Sequence, residues 1–302
     1  MSDIPLSTPT YEPGSSITVT STNQFDNQSD FKDYILSALH QVKEYHEFVF
    51  IDVPSSWGEA VLQLIDESIP SRKSYNTITH TLRIRVVFTW IHDCVQGWLT
   101  KQLVEWLLNG DITREEELLL HPGVGTTLHF TTGPYSGSRK EPDLFFQVND
   151  HILPTLVVEC GWSDSKGRIY DDMNLLLVGG NGSIKIVIIV KWAKLRGSRV
   201  SGTVELFMRD RNDIPILKQI EIRIFEAFSS MFYLLIAWYL YIQTVFPRPT
   251  TTNLQRLEIR RGDLFGDALL AGRNRNDILY LDVERLRDHA TRSLRFMNLV
   301  PA

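Results

Sequence analysis

The spacing of apolar positions changes several times along this chain. From Phe31 to about Tyr45, Ile35, Leu36, Leu39 and Val42 fall on one helical stripe, with Asp30 positioned to cap it. "EFVFIDVP", ending in Pro54, predicts a short strand, "WGEAVLQLIDES" an amphipathic helix, and "IPSRKSYNTIT" a polar connection. From Thr81 to Leu108 the pattern is long and strongly apolar. It predicts one helix, closed by Asn109-Gly110 and packed through Trp90, Val95, Trp98, Leu99 and Leu103. The period then shortens to two. "TTLHFTTG", "EPDLFFQV" and "TLVVECGW" read as strands, "SDSKGRIYDDMNLLLVGGNG" as a capped helix ending in glycines, and "SIKIVIIVKW" as a strand buried on both faces.

The resulting order, αβββαβ, predicts an α/β fold with a mixed central sheet flanked by helices. Further strands and helices follow on the C-terminal side: "GTVELFMRD" and "KQIEIRIF" as strands, "LQRLEIRRGDLFG" as strand and loop, and "ILYLDVERLRDHATRSLRFMNL" as strand and helix. Residues 1–30, rich in Ser, Thr, Pro, Asn and Asp, predict a disordered tail. Residues 31–302 are expected to form one domain, with its core at about 81–192 and an apolar insertion at about 227–246.

Composition narrows the function classes. A chain of 302 residues with 43% hydrophobic content buries a sizeable core. The net charge of −5 gives no global attraction to nucleic acid, so such binding needs a local basic patch. Two cysteines, Cys94 and Cys160, exclude a disulfide framework and a four-cysteine zinc site. The eight histidines show no HxxxH or HxH spacing. "MSDIPLSTPTYEPGSS" has neither the basic nor the apolar region of a secretory signal, so an intracellular protein, nuclear or cytoplasmic, is expected.

Asp143 and Glu159 stand out because they occupy strand-like runs where Val or Leu would pack better. Along a strand Glu159 points with Val157 and Gly161. If the two strands pair, the carboxylates lie side by side and invite a hard divalent cation such as Mg²⁺. The plainer alternative is a buried ion pair, with Lys191 as partner of Glu159. Asp171 and Asp172 fit a solvated helix face, and Gly179-Gly180-Asn181-Gly182 a helix stop rather than a phosphate loop.

"PD" at Pro142-Asp143, the acid at Glu159 and the αβββαβ order together resemble the PD-(D/E)XK, restriction-endonuclease-like superfamily, over roughly residues 86–192. The wider stretch resembles fungal members of that superfamily. The resemblance implies Mg²⁺- or Mn²⁺-dependent hydrolysis of phosphodiester bonds in DNA or RNA, with Asp143 and Glu159 as metal ligands. An acid from the first core helix often joins them, and Glu105 is preferred over Asp93. The chain departs from the pattern at Gly161, where the superfamily's lysine is expected. Lys191 is the first substitute and Lys166 the second, while Ser163 is placed to orient water or cap the following helix.

"KWAKLRGSRVSG" carries Lys194, Arg196 and Arg199 with no acid, a candidate grip on a phosphate backbone or a solvated loop. Arg83 and Arg85 add little to it. The uncharged stretch Ala227–Phe246 is long enough to span a bilayer; a buried helix and a translated intron are the other readings, and a helix packed on the protein is expected. Two rivals to the nuclease therefore stand: an inactive nuclease-like interaction module, favoured by Gly161, and a membrane-anchored protein.

Overall fold

The computed structural model describes residues 17–65, 71–86, 89–162, 166–210, 212, 214–217, 242–250 and 255–302. The first elements are β1 (Ile17–Ser21), α1 (Gln28–Gln41), β2 (His46–Ile51), α2 (Ser55–Ile65), β3 (Ser71–Asn76), β4 (Thr81–Val86), α3 (Trp90–Leu108) and α4 (Arg114–Leu118). Then come β5 (Leu120–Gly123), β6 (Leu128–His129), β7 (Arg139–Lys140), β8 (Leu144–Val148), β9 (Leu156–Trp162), α5 (Lys166–Gly179), β10 (Ile186–Lys194) and β11 (Arg199–Arg209). The last are β12 (Pro215–Leu217), β13 (Gln243–Phe246), β14 (Arg256–Arg260), α6 (Arg261–Phe265), β15 (Ile278–Asp282), α7 (Val283–Phe296) and β16 (Val300–Pro301). The fold is α/β. In place of one domain over 31–302, the chain forms two compact units, residues 1–88 with 127–141, and residues 89–126 with 142–302.

The first unit is a six-stranded sheet, β1-β2-β4-β3-β7-β6. Phe31 and Ile35 of α1, Val61 and Leu62 of α2, Phe48 and Phe50 of β2, and Leu82 and Ile84 of β4 form its core. The expected tail is already structured from Ile17, and α1 begins at Gln28, because Asn27 rather than Asp30 caps it. The helix expected from Thr81 to Leu108 is a strand followed by a helix. In "TLRIRV" Leu82, Ile84 and Val86 alternate with Arg83 and Arg85, a period of two that the overall apolar content conceals. Arg83 is held by Glu47 on the neighbouring strand, at 2.5 Å. The polar stretch "SRKSYN" is likewise strand β3, registered against all of β4.

The second unit carries the strand order β12-β11-β10-β9-β8-β5, with β9 and β10 parallel and the other neighbours in this path antiparallel. The parallel pair needs a crossover, and α5 supplies it. All seven residues of β9 are buried, which accounts for its nearly unbroken apolar run. The order αβββαβ is present, but its first strand is β5, not "TTLHFTTG", whose Leu128–His129 pairs in the other sheet. Trp192 and Gly202 are cross-strand partners, and a Cβ on Gly202 would come within 2.2 Å of the Trp192 ring. Glycine is required there.

Helix α3 docks through a stripe at four-residue spacing. Trp98 Nε1 donates to Asp282 O and Trp106 Nε1 to Tyr280 O, while Gln102 accepts from Asp282 N. "KQIEIRIF" and most of Ala227–Phe246 lie outside the described residues. The last four residues of that apolar stretch are strand β13, paired to β11, and so are not part of the expected helix. No helix among the described residues is long and apolar enough to cross a membrane.

One buried ion network ties α4 to α6. Glu116 is fully buried, closes a capping box with Thr113, and accepts bonds from Arg261 at 2.5 Å and Arg273 at 2.7 Å. Burial alone would raise its pKa, but the bonds from Arg273, Arg261 and Thr113 prevail and hold it below the usual glutamate range. Glu116→Ala, which leaves the buried Arg261 with only the half-exposed Asp277 at 3.4 Å as a carboxylate partner, should cost about 3 kcal/mol in urea unfolding at neutral pH. Because the folded pKa is depressed, this contribution is fully present above the unfolded value of about 4.3 and disappears as pH falls through the folded value. Wild type and variant should therefore converge in stability under acid. Parallel acid profiles would mean that Glu116 contributes no pH-linked stability.

Candidate functional site

The parallel register sets the site. Along β9 and β10, Glu159 pairs with Ile189 and Gly161 with Lys191. On the other side of β10, Ile189 pairs with Glu205 and Lys191 with Thr203. Side chains alternate, so Glu159, Lys191 and Glu205 share one face. Helix α5 lies over that face, since Tyr170 reaches both Lys191 and Phe207. Cys160, Trp162 and Trp192 occupy the opposite face, against α3: Trp192 donates to Cys160 Sγ, and Cys160 reaches Ile91 O.

Asp143 stands one residue before β8. The antiparallel register runs Phe146↔Leu156, Phe145↔Val157, Leu144↔Val158, and its next step brings Asp143 level with Glu159. Asp143 Oδ2 accepts the backbone N–H of Cys160 at 2.7 Å, which fastens the carboxylate to the Glu159 strand. Asp143 and Glu159 are each 1% exposed. The two residues are thus level on neighbouring strands and deeply buried, the backbone placement that the sequence reading of a shared hard cation requires. Among the described residues no third His, Cys, Asp or Glu joins them to make a metal-binding group.

Glu105 does not join the carboxylates. It lies on α3, against the opposite face of the sheet, and is ion-paired to Arg285 of α7. The helical period places 105 beside α7 rather than over the strand ends. Asp93, also on α3, is exposed and accepts a bond from Gln96. Ser163 and the side chain of Lys166 lie outside the described residues.

Lys191 is on the face of Glu159, level with the residue that lacks a side chain. Its described bonds go elsewhere. The ammonium donates to Glu205 Oε1 and, at 2.6 Å, to the Tyr170 hydroxyl, which donates in turn to Glu205 Oε2 at 2.9 Å. Burial alone would lower the lysine pKa; the bonds that the ammonium donates to Glu205 and Tyr170 outweigh it and leave Lys191 above its ordinary value. Burial raises Tyr170, so its hydroxyl stays protonated and able to donate. Glu205 and Tyr170 were not singled out in the sequence. The available signal for Glu205 was an acid inside the strand "GTVELFMRD", one strand removed from another buried acid. Lys194, Arg196 and Arg199 are exposed where β10 turns into β11, with Lys194 over the Trp162 ring at 5.1 Å.

Comparison with protein-family models, curated proteins and solved structures returns no match.

The lysine triangle predicts strong coupling. Glu205→Leu should destabilise the protein by about 3 kcal/mol, because it leaves a mostly buried ammonium without its carboxylate. Adding Lys191→Met should recover most of that loss, since a packed apolar pair replaces a broken ionic one. A double-mutant cycle by urea unfolding measures this; additive losses would refute the coupling.

Proposed function

We propose that the chain is a metal-dependent phosphodiesterase of the PD-(D/E)XK type, acting on DNA or RNA. The observation that carries this reading is the register of β8, β9 and β10. Asp143 falls level with Glu159, and Lys191 falls beside Gly161 on the Glu159 face. The superfamily's lysine would rise from position 161. Here a neighbouring strand offers an ammonium at the same level and on the same side.

In this reading Asp143 and Glu159 hold Mg²⁺ or Mn²⁺, which supplies an activated water and offsets charge on the phosphate. The protein's own contribution is positional. The Cys160 N–H keeps Asp143 against β9, and Glu205 with Tyr170 keeps Lys191 protonated next to the gap at Gly161. An ammonium fixed in advance stabilises charge without reorganising when the reaction occurs. The exposed hairpin cations Lys194, Arg196 and Arg199 supply backbone contacts just beyond it.

A second reading has its own support. The described bonds of Lys191 go to Glu205 and Tyr170. A lysine engaged in this way favours an inactive nuclease-like interaction module.

Cleavage of labelled single- and double-stranded DNA and RNA in Mg²⁺, Mn²⁺ or EDTA decides between them. The nuclease reading expects metal-dependent products that Asp143→Ala and Glu159→Ala abolish. Calorimetry should show weaker metal binding in both variants. Lys191→Ala should keep metal binding and lose turnover by about 100-fold, the scale of one charge-stabilising donor. Lys191→Arg should rescue poorly, because a planar fork does not replace a compact ammonium. No cleavage, with equal metal heats in wild type and both carboxylate variants, would leave the inactive module.

A further inference from the structure

Among the described residues of the second unit, one exposed apolar patch is aromatic. Trp90 and Phe296 are 57% and 53% exposed, yet they pack on each other with ring centroids 4.8 Å apart. Large rings at that exposure are uncommon on a soluble unit, and a preformed pair of them offers a broad π-surface. Arg292 lies over the Phe296 ring at 5.9 Å, and Arg295 is exposed beside it in the sequence.

This pair is continuous with the basic hairpin by two routes. The first runs through β16, four residues after Phe296. Val300 N donates to Ser198 O at 3.0 Å and Val300 registers with Arg199. The second runs through α3: His92 is bonded to Thr89 at 2.7 Å and packs edge-on to Trp162, which carries Lys194 over its face. Arg292 thus touches the ring pair, and the hairpin that carries Lys194, Arg196 and Arg199 is joined to it through β16 and Trp162, at the end toward which β9 and β10 both run. Asp93, one turn beyond Trp90, is the acid on α3 nearest in sequence to this end.

We propose that this end is a stacking platform for an unpaired polynucleotide strand. The choice of polynucleotide rests on the nuclease reading; the choice of an unpaired one rests on the rings. Cations alone track phosphates in either a duplex or a single strand. A side-chain ring can stack only on a base whose face is open, and duplex bases are covered by their neighbours. Two exposed rings flanked by cations are therefore matched to a single strand. One base would stack on Trp90 or Phe296 while the backbone follows Arg196 and Arg199 toward the strand ends that carry Glu159 and Lys191.

The test is binding of the full chain in EDTA, where no metal-dependent cleavage can occur. Fluorescence anisotropy is read for labelled oligo(dT), oligo(U) and a duplex of equal length across a salt series. Trp90→Ala and Phe296→Ala should each weaken single-strand binding by about tenfold and leave the weaker duplex binding unchanged. Trp90→Tyr should retain it, which separates stacking from a folding defect. Arg196→Ala with Arg199→Ala should flatten the salt dependence for every oligonucleotide. Preference for oligo(dT) or for oligo(U) would support the proposal equally. Wild-type affinity in Trp90→Ala, or equal losses for duplex and single strand, would overturn it. So would Trp90-dependent binding to phosphatidylcholine–phosphatidylglycerol vesicles without oligonucleotide binding, which would make this a lipid-facing surface. Because the readout needs neither metal nor turnover, failure of cleavage and failure of stacking are separate results.

Discussion

The site depends on one register, the parallel pairing of Leu156–Trp162 with Ile186–Trp192. A one-residue slip would turn every side chain of one strand to the other face. Lys191 would then point into the layer of Cys160 and Trp162, and Trp192 would be turned out of it. That apolar layer holds the register in place. Trp192 needs the bare backbone of Gly202 on one side and bonds to Cys160 on the other, so a shift of β10 loses both contacts and a shift of β9 loses the second. The packing of one face thus fixes the chemistry of the other.

The sheet also explains why Gly161 and Lys191 are complementary. An unbranched lysine stem needs room to lie along the face, and the position directly across from it carries no side chain. The same face is acidic at Glu159 and Glu205, one strand to either side. A cation between two flanking carboxylates is electrostatically favourable wherever its bonds are directed. The described bonds choose Glu205 and Tyr170, and these hold the ammonium at a defined height above the sheet.

Much of this was legible in the sequence, for a physical reason. "TLVVECGW" and "SIKIVIIVKW" are so uniformly apolar that a charged residue in either is conspicuous, and both strands and the helix between them were assigned from that pattern. Glu205 escaped because its strand alternates; an acid in an alternating strand looks solvent-facing until a helix is known to cover it. The first unit was harder. Its strands "SRKSYN" and "TLRIRV" bury Arg72, Lys73, Arg83 and Arg85, so one reads as a loop and the other merges with the helix that follows. The division into two units was hidden as well, because Thr127–Glu141 returns to the first unit after α3 and α4 have begun the second. A chain that leaves a unit and comes back shows no linker at the boundary.

Stability alone gives a poor account of the lysine triangle. A mostly buried Lys–Glu pair with a tyrosine is at best about equal to three well-packed apolar side chains, because desolvating both charges costs several kcal/mol before their attraction returns it. The neighbouring positions of β10 show what this sheet otherwise uses: Ile186, Val187, Ile188, Ile189 and Val190 are all fully buried. An apolar side chain at 191 would continue that series and remove the need for Glu205 and Tyr170. The network around Glu116 differs, because there the carboxylate also caps a helix and joins α4 to α6. The triangle bonds β10 to β11, which the backbone ladder already does, and ties both to α5 through Tyr170. What it adds to the face that carries Glu159 is a protonated amine held in place by Glu205 and Tyr170.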